Sequence, residues 1–444
     1  MSKNITFYLD DIPEIISPLH SQDHNLNMIY SFIHKPIFTR FNNKFSSEII
    51  DDLSVNTRLK LKVKENKYGI SARDIYKTLL FILDQKTLYA SYLSFLVGVK
   101  EYLRNDSDLK SISLHYHDNV IEGTMYDNTS YLEVLSSIHF SPLKFENYSP
   151  IVTDGFGEYF IHTIEKNEIL LKNKYNHNYI YFIVEKDEAT QINNIKNTRD
   201  IAYTGLTSLK NDTLINNDVV KVKTNLEFRL KINSKLLMDK NIFNVLKNSI
   251  LNEIYLNNSI DRVLQKTKAN NLNDSLVLSN EDFVKISRYS NSLLLLYADY
   301  YPNEILIGNI VTVLTKLGLN IECNKKDFKN FLKSNFDSYD LIFDIIEPIV
   351  LNPLDKYISE IINIPNHHKK EYVNLLNRWI KSGYKNDFIT RIDNFIWNHS
   401  TSIVIGKFNR HYLKSENAPL LIIDDLGIII SVGDIFNVEN NGII

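Results

Sequence analysis

The stretch from Leu293 to Tyr357 constrains the fold more than any other part of the chain. It opens with an unbroken apolar run, Leu293-Leu294-Leu295-Leu296-Tyr297, of strand length and without polar alternation. Such a run reads as a buried strand. A helix-period segment follows from Ile305 to Leu317 and is stopped by Gly318. A second strand is expected over Leu319-Asn320-Ile321-Glu322-Cys323. Next comes an amphipathic helix carrying Phe328, Phe331 and Leu332, and then a strand over Leu341-Ile342-Phe343. Strand, helix and strand in this order make a βαβ crossover, which packs right-handed onto a parallel sheet.

Length and composition narrow the class. The chain has 444 residues, enough for two or three compact units. Hydrophobic residues at 44% and charged residues at 23% describe an ordinary globular protein. A net charge of −3 supplies no global basic field for phosphate backbones, which argues against direct nucleic-acid binding. The single cysteine, Cys323, excludes disulfide scaffolds and cysteine-based zinc sites within one chain. Its place on an expected strand reads as a small buried hydrophobe. Met1-Ser2-Lys3-Asn4-Ile5 is followed by Asp10, Asp11 and Glu14, with no apolar core and no lipid-accepting cysteine. As written, the chain is expected to be cytoplasmic, and exported if its N-terminus has been trimmed. No apolar stretch reaches the length of a membrane span.

Several further elements are legible. Asn4 to Leu9 alternates as a strand, and Leu26 to His34 reads as a short helix. Ser71-Ala72-Arg73-Asp74 has capping-box spacing with Asp in the Glu position and opens a helix through Leu83. Tyr89 to Leu103 reads as one amphipathic helix. Ser111 to Met125 reads as a hairpin turning at Asp118-Asn119, and Tyr159 to Leu171 as one turning at Lys166-Asn167. Leu226 to Ile232 alternates and is a candidate crossing strand. Helices are expected at 242–255, 259–265, 369–381 and 387–399, with tail strands at 402–405, 420–423 and 428–431.

The order of markers resembles the oligopeptide- and nickel-type extracellular solute-binding proteins (family 5). Lys316-Leu317-Gly318-Leu319-Asn320, Tyr339-Asp340-Leu341 and Pro353-Leu354-Asp355 carry the likeness in the second half. Ile16-Ser17-Pro18, Ser71-Ala72-Arg73-Asp74-Ile75, Gly155-Phe156-Gly157-Glu158-Tyr159, Asn173-Lys174-Tyr175, Thr198-Arg199-Asp200 and Ile232-Asn233-Ser234 carry it in the first. The chain departs from the family pattern where peptide binders show a trp-x-ala-asp-tyr sequence. Ile346 stands at the tryptophan and Ile349 at the aspartate. A chain lacking that aspartate is expected to hold free peptides poorly. The ends Asp425-Leu426-Gly427-Ile428 and Gly433-Asp434-Ile435-Phe436 are also similar to the solute-binding domain of sugar-phosphate stress transcription regulators.

The resemblance implies an α/β, bilobal periplasmic-binding-protein-like fold (type II), with two lobes, a small insertion domain and two crossing strands. Lobe I is expected at 1–228 and 403–444, with the insertion at about 40–150, and lobe II at 229–402. The implied function is non-enzymatic capture of a small polar ligand between the lobes, in partnership with an ABC transporter permease. The alternative is a cytoplasmic ligand sensor working with a separate DNA-binding regulator. No cofactor and no metal are implied.

Candidate ligand-binding residues are Gln22, Asp23 and His24 in the loop that lines the family's cleft. Asp344 and Glu347 join them, expected past the end of the Leu341–Phe343 strand, where open α/β sheets bind ligands. His115 and His117 share one face of a strand but have no third ligand, so they read as a hairpin surface. Paired acids such as Asp10-Asp11 read as strand-end charges, and Trp379 and Trp397 as core. No nucleophile elbow, phosphate loop or zinc-protease motif occurs.

Overall fold

The computed structural model describes residues 4–12, 17–20, 23–41, 44–126, 131–205, 219–233, 240–256, 264–265, 292–346, 356–358, 360–382, 386–424 and 429–432. The chain opens with β1 (Asn4–Leu9) and α1 (His24–Ile33). Short strands β2 (Thr39–Phe41) and β3 (Lys44–Ser46) lead to β4 (Ile50–Asp52) and β5 (Arg58–Val63). Then come α2 (Ala72–Asp84), α3 (Val99–Leu103), β6 (Leu114–His117), β7 (Val120–Thr124), α4 (Tyr131–Ser136) and the hairpin of β8 (Lys144–Glu146) and β9 (Ser149–Ile151). β10 (Tyr159–Glu165), β11 (Glu168–Asn173), β12 (Tyr179–Val184), α5 (Glu188–Asn197) and β13 (Ile201–Thr204) follow. The second half holds β14 (Val219–Ile232), α6 (Lys240–Leu256), β15 (Leu264–Gln265), β16 (Leu293–Ala298), α7 (Asn303–Lys316), β17 (Ile321–Lys326), α8 (Phe328–Leu332) and β18 (Leu341–Ile346). It ends with α9 (Asn366–Lys381), α10 (Asn386–His399), β19 (Ser402–Leu413), β20 (Leu421–Ile423) and β21 (Ile429–Val432).

Two main sheets form. The first has the order β10-β11-β12-β1-β13, and the second β15-β19-β14-β18-β16-β17. A separate four-stranded sheet, β4-β5-β7-β6, belongs to the insertion between α1 and β10. Its β5 alternates: Leu59, Leu61 and Val63 enter a core shared with Ile75, Leu79 and Ile82 of α2. The capping box at Ser71 is complete, with Ser71 Oγ accepting from Asp74 N and Asp74 accepting from Ser71 N. The two reciprocal bonds satisfy two of the helix's orphan donors.

The apolar run at β16 is explained by burial on both sides. Leu293 and Leu295 pack with α6 and α7, while Leu296 and Ala298 pack with Phe331 and Tyr339 on the other face. β16 pairs parallel with both β17 and β18, so the crossover is realised as the sequence implies.

β14 and β19 are the crossing strands. They pair antiparallel from Val219↔Leu413 to Lys231↔Ser402. Val220, Val222 and Tyr412 enter the core under the first sheet. Phe228, Leu230, Ile403, Ile405 and Phe408 enter the core of the second. The register breaks between Lys223 and Glu227, where the pair passes from one core to the other. A bulge at that point bends the ladder locally.

Some expectations are corrected. Tyr89–Leu103 is not one helix: a 3₁₀ segment at Ala90–Phe95 ends in an isolated bridge from Leu96 to Met125. Gly98 then turns the chain at φ +92 before α3, where a Cβ would lie 2.6 Å from Ser111 O. Leu264–Gln265 is a strand paired to β19 rather than a helix end, while 257–263 lies outside the described residues. The tail strand expected at 402–405 continues to Leu413, because its second half crosses to the other lobe. Cys323 is exposed, since β17 is the edge strand and turns that side chain outward. Trp379 is buried, but Trp397 is largely exposed and lies under the Lys247 ammonium, 3.4 Å from the ring centroid.

Candidate functional site between the lobes

The carboxyl ends of two parallel strands, one from each sheet, converge on one polar cluster. Asp10 follows β1 directly, and Tyr300 lies two residues past β16. The two remaining contributors are the first turn of α1 and the crossing strand β19. Open α/β sheets offer ligand sites at this kind of strand end.

α1 is positioned by Asp23, its N-cap, whose carboxylate accepts from Leu26 N at 3.0 Å. His24 begins the helix, and its Nε2 meets Nη1 of Arg410, a residue of β19 that is 1% exposed. Asn25 donates from Nδ2 to Asp10 Oδ1 at 2.8 Å and to Asp11 O at 3.0 Å. Asp10 Oδ1 also accepts from Asp11 N at 3.0 Å. The opposite end of α1 is fixed by the Gly155-Phe156-Gly157 turn. Gly157 N donates to Ile33 O at 2.7 Å, and a Cβ at Gly157 would overlap the backbone of Phe32 and Ile33.

The electrostatics join the two lobes. Burial pushes the Tyr300 phenol well above its ordinary range; Asp10 and Asp23 raise it further, and Arg410 opposes them. The ring lies 6.4 Å from Phe408 of β19. Burial likewise raises the Asp10 carboxyl, and its bonds from Asn25 and the backbone oppose that. Both side chains are closely surrounded by protein atoms, yet solvent still reaches them.

The expected residues fall as follows. Asp23 and His24 are in this cluster. Gln22 and Glu347 lie outside the described residues. Asp344 does not lie past a strand end, because β18 continues to Ile346 and holds Asp344 opposite Arg229. There it pairs with Lys231 at 2.9 Å, on the face away from Leu341 and Phe343. Ile346 closes that strand, and Ile349 lies outside the described residues. Asp10, Asn25, Tyr300 and Arg410 were missed. Asp10 stood in the sequence only as a strand-end acid, although a strand end is where a site would form.

Outside the cluster, His115 and His117 are exposed on β6. Among the described residues no group of three or more His, Cys, Asp or Glu is arranged to hold a metal ion. No helix among them is long and apolar enough to cross a membrane. A hollow of about 510 Å³ lies on the pair α9 and α10.

Fold and cluster together define the class: a bilobal, type II periplasmic-binding-protein-like architecture with two crossing strands. No family model matches the chain, and no curated protein matches it. Solved structures do match. Haemophilus influenzae OppA in complex with RPPGFSPFR aligns at a TM-score of 0.76 and 10% identity, over 97% of this chain and 98% of that one. Listeria monocytogenes OppA bound to peptide aligns at 0.73 and 12% identity, over 96% and 97%. The Escherichia coli murein tripeptide binding protein MppA aligns at 0.72 and 10% identity, over 94% of each chain. Against MppA in its unliganded open form the TM-score is 0.61. At these identities the likeness establishes the fold.

Proposed function

We propose that the chain is a non-enzymatic solute-binding protein of the ABC-transporter type, capturing a small polar ligand by closure of two lobes. The observation that supports this most is the polar cluster itself. Asp10, Asp23 and His24 come from one lobe and Tyr300 from the other, with Arg410 on the strand that joins them. The structural neighbours named for peptide or murein tripeptide binding share the architecture along nearly their whole length.

In this reading lobe I comprises 1–228 and 403–444, with the insertion at about 40–150, and lobe II comprises 229–402. Closure is a hinge motion about the register break in β14 and β19. Gln22 extends the Asp23–His24 rim. Asp344 is left out, because Lys231 already engages it. Free peptides are weak ligands in this account, as the position of the family's aspartate holds Ile349. A thermal-shift screen with short unmodified peptides should show no shift of several degrees.

The test is native mass spectrometry of the full chain purified from its host. One discrete small-molecule adduct is expected, lost on Arg410→Met. An adduct retained by that variant would place the site elsewhere. A protein working with a permease should fractionate outside the cytoplasm. Recovery in the cytosol together with a DNA-binding regulator would favour the sensor reading. That reading rests on the tail motifs at 425–428 and 433–436, which lie outside the described residues.

A further inference from the structure

The hollow on α9 and α10 is unlike the interlobe cluster in its charge. His367, Lys370, Glu371, Leu375 and Arg378 line it from α9, and Phe395 from α10. Lys370 and Arg378 have no ion-pair partner among the described residues, and the one lining carboxylate, Glu371, faces His368 at 4.0 Å. Arg378 lies over the ring of Phe388 at 5.8 Å, and Arg391 over the same ring at 5.5 Å. Two guanidinium groups thus flank one aromatic ring, again with no carboxylate within ion-pair distance among the described residues. Elsewhere in the fold Arg40 is paired with Glu133, and Arg229 with Glu227 and Glu360. Like charges held close on a rigid helix pair repel, and an anion between them relieves that cost. Phe395 and Leu375 add an apolar floor.

We infer that this groove is a docking surface for an acidic segment of a partner protein, one carrying carboxylates for Lys370 and Arg378 and an apolar side chain for the Phe395–Leu375 floor. The surface lies on the outer helices and is independent of the interlobe reading, so it stands whether or not a ligand binds between the lobes. Its lining is open and sits on two parallel-running rows of α9, one turn apart, which suits an extended or helical chain better than an enclosed metabolite. Rim charges of this kind govern association rate and salt dependence.

The experiment uses the full chain and a fluorescein-labelled peptide of aspartate and glutamate with one leucine and one phenylalanine, read by fluorescence anisotropy. Binding is expected at low ionic strength and should weaken as salt shortens the screening length. Lys370→Glu with Arg378→Glu should weaken it by about tenfold or more. The neutral pair Lys370→Ala with Arg378→Ala should fall between, and circular dichroism should show both variants folded. A matched reversal on the insertion domain, Lys62→Glu with Lys110→Glu, should leave it unchanged. Absence of peptide binding, or equal loss in the matched reversal, overturns the proposal. Tighter binding to phosphatidylserine-containing vesicles than to the peptide overturns it too, since the surface would then serve a membrane.

Discussion

Two buried arginines stand on the two paired crossing strands, and their surroundings differ. Arg229 on β14 is held by Glu227 at 2.7 Å and by Glu360. Glu360 in turn accepts from Asn363 Nδ2 and from Ser400 Oγ, each at 3.1 Å. All these groups belong to the second half of the fold, and they close on one another. Arg410 on β19 meets the imidazole of His24, and its field is felt by a phenol from the opposite lobe. A guanidinium neutralised by two carboxylates holds one lobe together. A guanidinium among groups drawn from two lobes has contacts that change when the lobes part. Burial alone does not distinguish the two; the origin of the partners does.

The largest effect should come from breaking the closed network. Glu360→Ala leaves Arg229 buried beside a single carboxylate, Glu227, with Asn363 and Ser400 deprived of their acceptor. Removing one member of a buried pair costs about 3–5 kcal/mol. Chemical denaturation should report that loss, and a cost near zero would show that the network relaxes or is hydrated. Arg410→Met should cost less, about 1–3 kcal/mol, because its neighbours His24 and Tyr300 are drawn from different lobes rather than from one closed network. Its main consequence should be a wider distribution of lobe separations. Equal stability losses at Glu360 and Arg410 would mean that the two arginines play the same structural part.

A smaller effect is expected at Asp10, with a definite sign. Burial raises its carboxyl above 3.8, so the folded protein holds that proton more tightly than the unfolded chain. Ionisation therefore costs stability once the pH passes 3.8, and the full cost is present above the folded value. Asp10→Asn keeps an acceptor for Asn25, so it should be more stable than the parent at neutral pH. The advantage should vanish below pH 3.8, and ligand capture should fall. Stability traded for a poised polar group is common at binding sites. A variant less stable at neutral pH would mean that Asp10 is a structural anchor.

The sequence discloses what is local and hides what topology assembles. The β16 run, the Ser71–Asp74 capping box and the stop at Gly318 are each settled within a few residues, and each forms as read. The helix expected over Tyr89–Leu103 fails because a long-range bridge, Leu96 to Met125, outweighs helical periodicity. β14 and β19 run longer than their apolar patterns suggest, since each strand changes which core it serves midway. The site follows the same rule. Asp23 and His24 were legible as a loop before a helix. Asp10, Tyr300 and Arg410 are distant in sequence and meet only through the crossing strands, so no local pattern marks them.

Closure of the lobes over the interlobe cluster changes the distance between the two main sheets, and two spin labels report that distance. Cys323, exposed on the edge of the second sheet, takes one spin label. Thr163→Cys, exposed on β10 of the first sheet, takes the other. Double electron–electron resonance would compare protein purified from its host with the same protein unfolded, stripped of bound small molecules and refolded. The account predicts a single short distance before stripping, and a longer, broader distribution afterwards that Arg410→Met reproduces without stripping. Identical distributions in all three samples would show that the lobes do not move and would contradict it.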